Sequence, residues 1–119
     1  MADYLFLFRG GDAAMAKMSP EQLQQNMGKW MAWIEDLTRK GTFKAGEPLD
    51  GKGKVIRGKK QVVTDGPYAE SKDLVGGYLI VRAASLPKAE DIAKGCPIFE
   101  SDGSVEIREI RQLHAEKGA

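Results

Sequence analysis

Two short stretches of the chain are apolar at both parities: Tyr4-Leu5-Phe6-Leu7-Phe8 and Gly76-Gly77-Tyr78-Leu79-Ile80-Val81-Arg82-Ala83. A strand reads this way when both of its faces are covered, so each is predicted to lie at the centre of a sheet. Arg9-Gly10-Gly11-Asp12 closes the first with turn chemistry, and Ala13 to Met18 follows as a mobile linker. A helix start comes next. Ser19 supplies the N-cap, Pro20 the first helical position, and Gln22 the returning side chain of a capping box. Leu23, Met27, Trp30, Ile34 and Leu37 recur at three- and four-residue spacing. They predict an amphipathic helix of about 20 residues that ends at Gly41, after Arg39-Lys40. Met31 and Trp33 widen the apolar arc on either flank, where they either extend the core, meet a subunit partner or wall a ligand site.

The rest of the chain is less apolar. Phe43 to Leu49 returns in extended form, with Pro48 limiting its pairing, and Asp50 to Gly53 is a loop. Lys54–Arg57 and Gln61–Thr64 flank Gly58-Lys59-Lys60 as the arms of a hairpin. Asp65-Gly66-Pro67 is a turn, and Tyr68 to Leu74 is a polar excursion leading to the second doubly apolar strand. Ser85 caps a short helix in which Ala89, Ile92, Ala93 and Cys96 share a face, stopped by Gly95 and Pro97. After a turn at Ser101–Ser104, Val105–Ile110 alternates apolar and charged residues, as an edge strand does, and the tail is polar and frayed over residues 114–119. This order predicts an α+β, ferredoxin-like sandwich: an antiparallel sheet with two helices on one face. Tyr4–Phe8 and Tyr78–Val81 are its central strands, and the hairpin and Val105–Ile110 lie outside. The second sheet face is also apolar and needs a cover. A second copy packed sheet to sheet is the simplest one, so a homodimer is expected.

Composition narrows the function classes. At 119 residues, with 42% hydrophobic and 29% charged positions, residues 1–119 are expected to form a single folded domain. Eighteen basic and seventeen acidic residues leave a formal charge of +1, which gives no field to gather nucleic acid or an anionic membrane. The basic run from Lys52 to Lys60 has no interleaved aromatics and reads as a solvated strand edge. A lone cysteine, no apolar leader and no apolar run long enough to span a bilayer point to the cytoplasm. Cys96 lies on an apolar helix face and reads as a small buried hydrophobe. One histidine, one cysteine and scattered carboxylates show no metal-ligand spacing. Gly10-Gly11 and Gly76-Gly77 lack a phosphate-loop pattern, so no metal and no cofactor are expected.

Val63-Thr64-Asp65-Gly66-Pro67-Tyr68-Ala69-Glu70-Ser71-Lys72-Asp73, followed by Gly76-Gly77-Tyr78, resembles the YCII-related family in its DGPF-domain branch. The resemblance continues through Ala93-Lys94-Gly95-Cys96-Pro97-Ile98 and Gly103-Ser104-Val105-Glu106-Ile107-Arg108, and backwards to Trp30-Met31-Ala32-Trp33. Tyr68 stands where the branch usually has phenylalanine, and Ser71-Lys72-Asp73 where it has Thr-Lys-Glu. The resemblance implies a dimeric α/β barrel built from two ferredoxin-like subunits, with clefts between sheet and helix or at the dimer seam. It also implies a choice of roles, because some relatives are encoded beside extracytoplasmic-function sigma factors and others are small dehalogenating or lyase-type enzymes. In the enzymes a histidine and an aspartate are proposed as the acid–base pair. The one histidine here, His114, lies in the tail, outside the motif positions.

Asp65 is the foremost candidate for chemistry: a carboxylate at a strand end beside a Gly-Pro turn is either a turn cap or a held proton acceptor. Tyr68, Glu70 and Lys72 follow it and are candidate ligand-binding residues, or exposed loop charges. Arg9, leaving the first central strand, either counters a carboxylate in the cleft or in a substrate or forms a structural ion pair with Asp65 or Glu106, and Trp33 is the candidate wall. Two functions are carried forward. The leading one is a small-molecule binding or regulatory dimer with its cleft near Asp65-Gly66-Pro67. The alternative is a cofactor-free lyase- or isomerase-type enzyme acting on a small compound, aromatic or not, with Asp65 as base.

Overall fold

In a computed structural model, residues 1–66 and 74–113 are described, and the four-stranded sheet has its centre where the apolar runs predict it. β1 (Ala2–Arg9) pairs antiparallel with β5 (Val75–Ala83) on one side and with β6 (Ser104–Glu109) on the other, while β2 (Phe43–Pro48) flanks β5. The order β2-β5-β1-β6 is that of a ferredoxin-like sandwich. Two helices, α2 (Pro20–Arg39) and α3 (Leu86–Ala93), supply the covering layer. The molecule measures 19 Å along its shortest axis, the thickness of one helix layer on one sheet.

Local sequence explains where the elements begin and end. Ser19 Oγ accepts from the Gln22 amide and the Gln22 side chain accepts from the Ser19 amide, so the expected capping box is formed. At the other end Gly41 takes φ +74°. Its amide donates to the Thr38 carbonyl and that of Thr42 to Leu37, the paired bonds that terminate a helix through a left-handed residue. Ser85 caps α3 through the Lys88 amide, and Pro97–Ser101 forms a turn of 3-10 helix ahead of β6.

The core lies between the sheet and these helices. Tyr4, Phe6, Phe8, Leu79, Val81 and Ala83 from the sheet meet Leu37, Ala89, Ala93, Cys96 and Ile98 from above, with Phe6 and Val81 fully buried. Alternation places Leu5, Leu7, Tyr78 and Ile80 on the opposite face, where each is half-buried. Charged side chains ring this second face. Asp3 bonds Lys44 at 2.9 Å and Arg82 at 3.4 Å, and Arg9 pairs with Glu106.

Several expectations are corrected. The dimeric α/β barrel is not what the chain forms, because its sheet is open, with β2 and β6 as free edges and no closure. The hairpin is not the outer strand of that sheet. Phe43–Pro48 holds the place beside β5, and β3 (Gly53–Arg57) with β4 (Val62–Gly66) makes a separate two-stranded ribbon. The stretch read as a linker contains a short helix, α1 (Asp12–Ala16), begun by Gly11 at φ +86°. α2 is also rotated from its expected face. Leu23, Met27 and Met31 are exposed while Asn26 is buried, because the first half of the helix turns toward the 3-10 segment. The predicted Asp65-Gly66 turn is the last part of β4, and Pro67 lies outside the described residues, as do residues 114–119.

Candidate functional site

The hairpin's register follows from its four-residue loop. Gly58 and Gln61 adopt positive φ, of 71° and 53°, and the strands pair symmetrically outward from Arg57–Val62 to Gly53–Gly66. This register sets Lys54 directly opposite Asp65 on neighbouring strands, and their side chains form an ion pair. Sequence reasoning did not pair these two residues. The signal was present, since positions 54 and 65 are equidistant from the loop.

An open cleft of about 510 Å³ lies at the base of the ribbon, lined by Gly51, Lys52, Gly53, Lys54, Asp65 and Gly66. Three of these are glycines, so backbone rather than side chain forms much of its wall. Asp65 is its acidic group and Lys52 and Lys54 its basic ones, and the paired Asp65 and Lys54 are both largely exposed. On the ribbon's opposite side, Thr64 Oγ1 is buried without a hydrogen-bond partner among the described residues.

The other predicted residues sit elsewhere. Arg9 is on the open sheet face, paired with Glu106, which also lies 3.5 Å from Arg108. Trp33 is on the helix side, in an edge-to-face cluster with Phe8 and Trp30 whose ring centroids are 5.1–6.3 Å apart. The sheet therefore separates Trp33 from Arg9, and Asp65 has Lys54 rather than Arg9 as its cation. Tyr68, Glu70 and Lys72 lie outside the described residues.

Two titrations bear on what the molecule can do. Cys96 is buried beneath α3, and burial pushes its thiol up to about 12, so it stays protonated and unreactive at neutral pH. Asp3 is held below the ordinary carboxylate range, first by its hydrogen bond from Lys44 and then by Arg82, against the opposing effect of burial. It is an anchored structural anion. Among the described residues no group of three or more His, Cys, Asp or Glu side chains could hold a metal ion, and no helix is long and apolar enough to cross a membrane.

The profile of the YCII-related domain matches residues 2–114. No curated protein matches the chain. Among solved structures, the chain is similar to the 5-chloro-2-hydroxyhydroquinone dehydrochlorinase of Burkholderia phenoliruptrix, in its complex with 2,5-dihydroxybenzoquinone. The likeness covers 98% of each chain at 16% identity and a TM-score of 0.54, and at that identity it is one of fold.

Proposed function

The chain belongs to the YCII-related family, and on that premise we propose that it is a cofactor-free enzyme of the lyase or isomerase type, acting on a small ring compound at the cleft beside Asp65. The observation that carries this reading is the cross-strand pair of Asp65 and Lys54 in an open cleft. Loss of HCl from a chlorinated ring, the reaction class named for the similar structure, requires a base to take a proton while chloride leaves with its bonding electrons. A carboxylate supplies the first need, and an adjacent ammonium supports the negative charge that develops. Composition and motifs alone lead to a binding or regulatory role. Likeness to an enzyme along the whole chain shifts the preference to turnover.

Two finer points belong to the same proposal. The Asp65-Gly66-Pro67 motif supports the DGPF branch, and Tyr68, Glu70 and Lys72, which follow it in sequence, are the further residues proposed to bind the substrate. A second copy of the chain is the cover we assign to the sheet face of Leu5, Leu7, Tyr78 and Ile80. Its charged rim carries both signs and so can match itself across a two-fold axis.

Chloride release from chlorinated hydroquinones by wild type, Asp65→Asn and Lys54→Met tests the reading. Wild type is expected to turn over, and Asp65→Asn to lose about 10²-fold or more with its unfolding temperature unchanged. Saturable binding of these rings without chloride release would return the protein to the binding class, and equal turnover by wild type and Asp65→Asn would remove Asp65 as the base.

A further inference from the structure

The ribbon of β3 and β4 stands out from the body as an arm. None of its residues joins the core, and no described helix or other strand packs along it. The radius of gyration, 16.3 Å, exceeds the roughly 13.5 Å of a compact domain of this length. We propose that the arm of each copy lies against a second copy of the chain, so that the cleft beside Asp65 is roofed by the partner, an inference that rests on the cleft and the second copy assigned above and joins the two.

Register decides which face of the arm is involved. Ile56 stands opposite Val63, and strand alternation puts Lys54 and Asp65 on that same face, with Val55, Val62 and Thr64 on the other. Ile56 and Val63 are 64% and 56% exposed, an apolar cross-strand pair left to water in the single chain. Lys54 and Asp65 are the next residues along this face. Anything seated on Ile56 and Val63 therefore also covers the Asp65–Lys54 ion pair. Such a roof would expel water from a cleft that is open in the single chain and strengthen the field of its charges.

The chain itself supplies the occupant. The arm springs from the border of the open sheet face, where Pro48 pairs with Gly77 and the Leu49 amide donates to the Gly76 carbonyl at 2.9 Å. A second copy on Leu5, Leu7, Tyr78 and Ile80 thus sits beside the arm's root, and Leu49, itself about half exposed, adds apolar surface there. Area calls for the arm as well. Strands about 4.8 Å apart with a rise of about 3.3 Å per residue give the four-stranded face about 400 Å² in plan, and the two strands of the arm about 160 Å² more. A stable interface takes about 800 Å² from each partner, so the sheet face by itself falls well short. Each chain has one arm and one open face, and a two-fold pair uses both from each copy.

Analytical ultracentrifugation of wild type and of the double variant Ile56→Asp, Val63→Asp tests the proposal. Wild type is expected to dimerise, and the double variant to have a dissociation constant at least about 100-fold higher, because its carboxylates would be pressed against the partner. Both positions lie outside the core, so the unfolding temperature of the dilute chain is expected to hold. The milder Val63→Ser is expected to raise the constant by about tenfold, while Met27→Asp, exposed on α2, leaves it unchanged. Acylation of Lys54 is expected to be several-fold slower in the wild-type dimer than in the double variant, with exposed Lys17 reacting equally in both. A wild-type chain that stays monomeric up to about 0.1 mM, a double variant that dimerises as wild type does, or equal labelling of Lys54 would overturn the proposal. None of these readouts needs turnover. Chloride release by a monomer would remove the roof and leave the cleft chemistry standing, and an arm-dependent dimer without chloride release would do the reverse.

Discussion

The main sheet and the hairpin are both antiparallel pairings of strand-forming residues and meet opposite fates. Phe6 and Val81 are fully buried in the sheet, whereas Ile56, Val62 and Val63 in the hairpin expose more than half of their surface. The hairpin is rich in β-branched residues and the sheet's centre in aromatic and aliphatic ones, and both pair antiparallel. What separates them is packing. β1 and β5 have neighbours on both edges and a helix layer above, while β3 and β4 have only each other. An isolated two-stranded ribbon is marginal in water. The body of this protein is therefore expected to hold itself together, and the ribbon, which carries Asp65 and Lys54, to be completed by something beyond its own strands.

Substitutions graded by region sharpen that contrast. Phe6→Ala removes a fully buried ring and is expected to cost about 3–5 kcal/mol in urea unfolding. Gly46→Ala comes next. A methyl group there would collide with Leu79 and approach the Tyr78 carbonyl to 2.8 Å, at the tight contact between β2 and β5, and about 1–3 kcal/mol of destabilisation is expected.

Asp3→Asn is expected to cost about 1 kcal/mol at neutral pH by breaking the bonds from Lys44 and Arg82. Its pH dependence has a definite sign. The folded-state value of Asp3 is lowered, so its contribution is complete above the unfolded value, near 3.8, and disappears as pH falls through the folded one. Unfolding curves of wild type and Asp3→Asn should therefore converge in strong acid. Val63→Ser, in the ribbon, should change the stability of the dilute chain by less than about 0.5 kcal/mol. A cost as large as that of Phe6→Ala would show the ribbon to be part of the body.

The same contrast explains what could be read in the sequence. Tyr4–Phe8 and Tyr78–Val81 announce themselves because a strand covered on both faces has no polar parity to show, and Ser19-Pro20-Gln22 and Gly41 mark their helix by local chemistry alone. Long-range choices were not legible. Phe43–Pro48 takes the edge despite Pro48, while the more β-branched hairpin stands apart, because edge position is decided by which segment can reach β5 after α2. The burial of Asn26 in place of Leu23 and Met27 likewise depends on the 3-10 turn some 70 residues later, which no 3.6-residue period encodes. At the candidate site, Asp65 could be singled out as a carboxylate of interest. Its partner required the hairpin register, while Arg9 forms the structural ion pair, with Glu106, that was one of its two readings, and Trp33 packs on the other side of the sheet.

Hydrogen exchange of the backbone amides tests the separation of body and ribbon most directly. In dilute solution the amides of Lys54–Arg57 and Val62–Asp65 are expected to be at least about 100-fold less protected than those of Leu5–Phe8 and Leu79–Val81. Equal protection of ribbon and sheet in the dilute chain would contradict that separation.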